Sequence, residues 1–402
     1  MQSFSTEKIR KVYNSYCTQL SLDTIEYLLQ LNTLAEEQKR VLYLAMESAL
    51  TRGDFFRKSC FVYLANAIIA PDITEKKNLI AQSILECAVR ILEDSRQGAI
   101  ELSNDGILSF SVLLNQKIPN CFDQIKKDND HFLFFKNNEM IFSCTKKYEC
   151  AIAKDIDFLI ADVNPFNKNI THPDAPPFSA YDLGGIPVSS WAQQFRDAYA
   201  LIQEKVPSIY DEIYYFLDAI VPHGYQPQKQ LSSTFSKSPG IIYLSYTDSV
   251  LKQAEAIIHE IHHNIYNVIE WKNKLLENDR SETFYSAYRP DARHMHGCFL
   301  GFHAFVAVQN FYGQLSKTDA SHIPVFLRLY CKNAYVIEVV KKYALLTESG
   351  EKLFSDIILK YESDTIAHGD FAKKYPLVAD TVKREAEQHL EAARKRNAIL
   401  HF

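Results

Sequence analysis

Apolar residues recur at intervals of three and four along most of the chain, a spacing that predicts helices. It is plainest from Ala254 to Glu270, where Ala256, Ile257, Ile258, Ile261, Ile265, Val268 and Ile269 make most of the circumference apolar. The same period runs through LDTIEYLLQLNTLAEEQKRVLYLAMESAL and KKNLIAQSILECAVRILEDS, so Ser5 to about Leu113 reads as successive helices. Ser21, Asp72 and Thr74 are placed as caps.

The pattern changes between Asp130 and Val163. HFLFFKNNEMIFSC has two apolar runs about Lys136, Asn137, Asn138 and Glu139, which predicts a hairpin, and DIDFLIADV is a second candidate strand. Asn164 to Pro187 collects prolines with Asn, Asp and Gly and reads as a long irregular connection. Helical spacing returns from Ser190, and a short strand, Ile241 to Tyr246, leads into the Ala254–Glu270 helix. HMHGCFLGFHAFVAVQNFYGQL opens another helix, and YCKNAYVIEVVKKYALLTESGEKLFSDIILKY gives two more, broken at Glu348, Ser349 and Gly350. The charged tail is an amphipathic helix of mixed sign, expected to be a solvated surface or a dimer contact. The expectation is a mostly α, multi-helix protein with a small β element and a metal site between two packed helices. Its divisions are an N-terminal helical domain (1–125), a hairpin with an irregular connector (126–189) and a helical catalytic domain (190–402).

Composition adds limits. A chain of 402 residues can bury a substantial core, and 12 glycines and 14 prolines against 23 tyrosines and 25 phenylalanines favour aromatic-packed helices over loops. A net charge of -5 leaves no nucleic-acid footprint. No run approaches the ~18 apolar residues of a membrane span, and the N-terminus lacks a signal-peptide plan, so a cytoplasmic protein with no membrane partner is expected. The eight cysteines lack CxxC pairs and read as reduced side chains, although Cys144 and Cys150 are near enough in sequence to approach each other.

The candidate chemistry lies inside the plainest helix. His259, Glu260 and His263 have HExxH spacing. Residues four apart stack on one helical face, so both imidazoles aim at one spot, as two ligands of one divalent metal must. Glu260 stands beside them within reach of the metal's substrate or water. His262 faces elsewhere and reads as a supporting or surface residue. A third ligand must come from farther along. Glu282 follows His263 at about the spacing of a thermolysin-like zinc peptidase, while His296 and His303 share a face of the next helix. If that helix packs back antiparallel, residues near 303 come level with the HExxH turn and His296 falls about 10 Å away at ~1.5 Å per residue. His303 is therefore the favoured third ligand. Tyr266 and Ile269 stand where a metzincin would place glycine and its third histidine, which speaks against that class.

The run LSSTFSKSPGIIYLSY, then IIHEIHH, then FYSAYRPDARHMHGCFLGFHAFVAVQNFY and YALLTESGEKLF resembles the HEXXH-motif proteins of peptide-modification gene clusters, over about residues 200–360. That family is described as iron(II)- and 2-oxoglutarate-dependent peptide β-hydroxylases. The resemblance implies that His259 and His263 bind iron and that Arg289 or Arg293 meets the 2-oxoglutarate carboxylate, for which a guanidinium fork is suited. It also implies a peptide or protein substrate. Leu300 departs from the family, in which a histidine or glutamine often precedes the second glycine of that helix. Arginines paired to nearby acids at a helix start are the structural alternative for RPDAR. The alternative chemistry is a zinc metallopeptidase in which His259, His263 and Glu282 hold zinc and Glu260 is the general base.

Overall fold

The structure, a computed structural model, describes residues 6–52, 55–56, 59–70, 76–93, 95, 97–105, 108, 110–145, 151–153, 156–159, 182–227, 230–289 and 291–400. Asp72, Thr74, Cys150, Pro290 and residues 164–181 of the expected connector lie outside these. The chain is mostly α with small sheets. It divides into two compact units interleaved in sequence, Arg10–Arg196 with Phe216–Ser249, and Met1–Ile9 with Asp197–Tyr215 and Val250–Phe402. The consecutive division expected at 125 and 189 is not the one these units follow.

In the unit built on Arg10–Arg196, α1 (Thr6–Leu29), α2 (Glu36–Thr51), α3 (Ser59–Ile69) and α4 (Lys76–Glu93) precede six strands. These are β1 (Gln97–Asp105), β2 (Phe110–Ser111), β3 (Gln116–Lys117), β4 (Cys121–Asp128), β5 (His131–Lys136) and β6 (Glu139–Thr145). The helical reading therefore fails beyond residue 93. Ile100, Leu102 and Asn104 are buried while Ala99, Glu101 and Ser103 are exposed, a period of two that makes a strand. β1, β4, β5 and β6 form one antiparallel sheet. The hairpin stands where expected: Lys136 pairs with Glu139, and Asn137 and Asn138 take φ of 50° and 65°, as a primed two-residue turn requires.

The buried Glu86 ties α4 to the segment after β2. Its carboxylate accepts from Val112 N (2.7 Å), Leu113 N (3.0 Å) and Ser111 Oγ (3.1 Å). Burial nevertheless pushes its pKa up to about 7.

A second sheet combines β7 (Ala151–Ala153) and β8 (Ile156–Phe158) with strands that follow α5 (Val188–Lys205) and α6 (Pro207–Phe216). Those strands are β9 (Ala219–Tyr225), β10 (Ser232–Ser233) and β11 (Ile241–Tyr246), in the order β10-β11-β9-β8-β7. β9 runs parallel to both β8 and β11, and Ile241 to Ser245 are buried without alternation, as in a strand covered on both faces.

The other unit carries the HExxH helix, α7 (Val250–Lys272). A small antiparallel pair follows, β12 (Thr283–Tyr285) with β13 (Ala292–His294), and then α8 (Met295–Thr318), α9 (Ile323–Tyr343), α10 (Glu348–Ser363), α11 (Thr365–Lys374) and α12 (Pro376–Leu400). Helix α8 packs antiparallel on α7: the partners Glu255–Tyr312, His259–Phe305, His262–His303, Tyr266–Phe299 and Glu270–His296 climb one helix as they descend the other. The break between α9 and α10 falls at residues 344–347, just before the expected Glu348, Ser349 and Gly350, because Thr347 Oγ1 caps α10 by accepting from Gly350 N at 3.1 Å. The tail helix α12 is not merely solvated. Val382, Ala386, Leu390 and Ala393 are buried, α12 packs on α9, and Asn397 bonds the Tyr285 backbone N–H and carbonyl at 2.7 and 2.9 Å. Among the described residues, no helix is long and apolar enough to cross a membrane.

Candidate metal centre

His259, Glu260 and His263 each bring one ligand atom to a group whose members lie within 4.8 Å of one another. The two imidazole centroids are 4.4 Å apart and inclined at 74°. Four residues advance a helix by just over one turn, leaving these rings about 40° apart around α7. Glu260 is buried at 3 % exposure, while both histidines keep some open surface.

Burial controls their charge. Desolvation lowers the pKa of His259 to about 4, opposed by Glu255 and reinforced by His262 and Arg289. Desolvation, then the neighbouring histidines, hold His263 well below the ordinary histidine range. Both rings are neutral at pH 7, the form in which imidazole binds a metal. His263 Nδ1 is buried with no hydrogen-bond partner among the described residues, a cost a metal-binding role would explain. Two neutral imidazoles and a carboxylate are a donor set suited to a divalent transition metal.

The third-ligand candidates fare differently. His303 does come level with the HExxH turn, but on the His262 side: its Nδ1 donates to the His262 carbonyl oxygen at 2.9 Å, and it is not in the metal group. The residue opposite His259 is Phe305, at a centroid distance of 4.6 Å. Two residues turn a helix by ~200°, so a face correct for 305 cannot also be correct for 303. His296 pairs with Glu270 at 2.7 Å, farther along the seam. Glu282 is exposed, its backbone N–H donating to Asp279 O at 3.2 Å.

Arg289 and Arg293 both bond Asp291, Nε to carboxylate, at 3.3 and 3.0 Å. This is the pairing with a nearby acid that was the alternative for this element. The two are not equivalent: the charge of Arg289 acts on His259, whereas Arg293 lies against Gly297.

Three residues of the site were not picked out in the sequence. Glu212 on α6 stands 3.2 Å from His262 Nε2 and 3.7 Å from Lys360 Nζ. His262, buried at 2 % exposure, also donates from Nδ1 to the Ile258 carbonyl at 2.8 Å, so it is an interior strut and not a surface residue. Phe305 and Tyr288 are the others, stacked at 4.2 Å and 25°. Helical glycines at 297 and 301 were the available signal, since glycine in a helix interior often marks close approach. A Cβ on Gly301 would lie 3.3 Å from Tyr288. No sequence signal pointed to Glu212.

No protein-family model and no curated protein matches the chain.

Proposed function

We propose that this chain is a metal-dependent enzyme that modifies a peptide or protein, an iron(II)- and 2-oxoglutarate-dependent hydroxylase of a peptide side chain. The observation that carries this is the gathering of two neutral imidazoles and one carboxylate, His259, His263 and Glu260, within 4.8 Å. Two histidines and a carboxylate with open positions are the ligand set of non-haem iron(II) oxygenases. Iron(II), with 2-oxoglutarate and dioxygen, supplies the oxidising chemistry that turns a C–H bond into C–OH. In this reading Arg289, whose charge acts on His259, would receive a carboxylate of the co-substrate. The peptide nature of the substrate rests on the family resemblance.

The zinc peptidase reading has less support. It needs Glu260 free as a base and a third ligand elsewhere, and Glu282, its expected ligand, is exposed and bonded within its own turn. The described cysteines are thiols outside any disulfide and mostly buried, consistent with work in a reducing compartment such as the cytoplasm.

The test is metal content after purification, then succinate formation with iron(II), ascorbate, 2-oxoglutarate and candidate peptides. His259→Ala should lose the metal, and Arg289→Ala should raise the 2-oxoglutarate requirement more than Arg293→Ala. Peptide cleavage restored by zinc, with no succinate formed under any condition, would replace this reading by the hydrolase.

A further inference from the structure

We propose that Tyr288 is a positioning residue for Arg289, held in place by a hydrogen-bonded relay through Asn333 and Gln309 to Asp364. The inference rests on the reading of Arg289 as the carboxylate-binding residue of the metal centre.

Tyr288 is fixed on three sides. Its ring stacks on Phe305, which in turn lies against His259, at centroid distances of 4.2 and 4.6 Å. The bare Cα of Gly301 gives the same ring a flat seat on α8, where a Cβ would stand 3.3 Å from Tyr288 Cδ2. Its hydroxyl donates to Asn333 Oδ1 on α9.

Asn333 Nδ2 donates to Gln309 Oε1 at 2.8 Å and to the Phe305 carbonyl at 3.3 Å, so one amide clamps both members of the stacked pair. Gln309 Nε2 donates to Asp364 Oδ2 at 2.9 Å, and Asn310 Nδ2 reaches Oδ1 at 3.3 Å. From Tyr288 to the carboxylate, every donor points the same way. Such a chain polarises itself toward its anionic end and is stronger than its separate bonds.

Asn333 and Gln309 are fully buried and Asp364 is 5 % exposed. A polar relay through the interior of a helical bundle is costly unless every member is satisfied, and this one ends at the residue preceding Arg289. Asp291 holds the guanidinium at Nε, 3.3 Å away, while Tyr288 anchors its backbone neighbour. Bidentate recognition of a carboxylate tolerates displacements of only about 0.5 Å, which is what a doubly anchored arginine provides.

The experiment is an anaerobic titration of the iron(II)-loaded protein with 2-oxoglutarate, followed by its charge-transfer absorption, with iron affinity measured separately. Tyr288→Phe should weaken 2-oxoglutarate about tenfold, at the low end for loss of an orienting partner, with iron affinity unchanged. Gly301→Ala, which displaces the ring without removing the hydroxyl, should act in the same direction. In an Arg289→Ala background, Tyr288→Phe should add nothing, because both act through one guanidinium. Three results overturn the proposal: unchanged 2-oxoglutarate affinity in both single variants, parallel loss of iron affinity, or full additivity in the double variant. If Arg289→Ala alone leaves 2-oxoglutarate binding intact, the carboxylate role of Arg289 fails and this inference with it, a result seen without touching Tyr288.

Discussion

Two histidines adjacent in sequence should respond oppositely to the same substitution. His263 has a buried Nδ1 with no hydrogen-bond partner among the described residues. An uncompensated buried polar atom costs ~1–3 kcal/mol, so in metal-free protein His263→Leu should be neutral or stabilising by up to ~2 kcal/mol. His262 has both nitrogens engaged, Nδ1 with Ile258 O at 2.8 Å and Nε2 with Glu212 at 3.2 Å. His262→Leu removes both contacts and leaves the Glu212 carboxylate with the half-exposed Lys360, 3.7 Å away, as its remaining cation. Deleting one member of a buried polar contact leaves the other without its partner, which costs ~1–3 kcal/mol. The two variants should therefore differ by ~1–3 kcal/mol or more, an appreciable part of the ~5–15 kcal/mol that stabilises a typical domain.

The assay is urea unfolding in the presence of a chelator, where a shift in midpoint at constant slope reports stability. Repeating it with a divalent metal at a hundred times its dissociation constant should stabilise the wild type by ~2.7 kcal/mol and His263→Leu not at all. If His263→Leu in chelator loses more than ~2 kcal/mol, its ring is a satisfied core residue and the account of a site strained for metal binding is wrong.

Glu212 gives a pH prediction: desolvation alone would raise its pKa, but Lys360 and His262 outweigh it and hold the carboxyl down, from 4.5 to about 2. A depressed carboxyl contributes stability above its unfolded pKa and loses it as pH falls, here from 4.5 toward about 2. Wild type should lose ~2–3 kcal/mol more across that window than Glu212→Gln, and parallel profiles would remove the assignment. At Gly350 an added Cβ would fall on the Leu275 carbonyl oxygen, a backbone atom that cannot swing aside. Gly350→Ala should cost ~2–3 kcal/mol, read as a lowered melting temperature, and an unchanged one would mean the 344–350 turn can shift freely.

The sequence showed well what depends on local spacing. The α7 helix follows from a period of 3.6, the Asn137-Asn138 turn from the φ preferences of asparagine, and strand β11 from a short apolar run after Pro239 and Gly240. Residues 97–105 carry an equally local signal, the alternation of Ile100, Leu102 and Asn104, and continuing the helical reading past Glu93 overlooked it. Glu86, a charged residue at a buried position of α4, was beyond a hydrophobicity pattern because its solvation is supplied by backbone N–H groups 26 and 27 residues away.

His303 shows where arithmetic along one helix stops. Rise per residue fixes how far a side chain lies along the axis, and antiparallel packing did bring residue 303 beside the HExxH turn. Which way it points depends on the rotation of α8 about its own axis, set by every contact along the seam at once. That rotation is anchored away from the two histidines, by Asn333 of α9 reaching the Phe305 carbonyl and by Gly301 receiving the Tyr288 ring. The metal group is therefore local to one turn of α7, whereas what faces it is a property of α8 and of what packs on α8. A substitution at Asn333, which touches neither histidine, should disturb the face opposite His259 more than any exposed substitution on α7 itself.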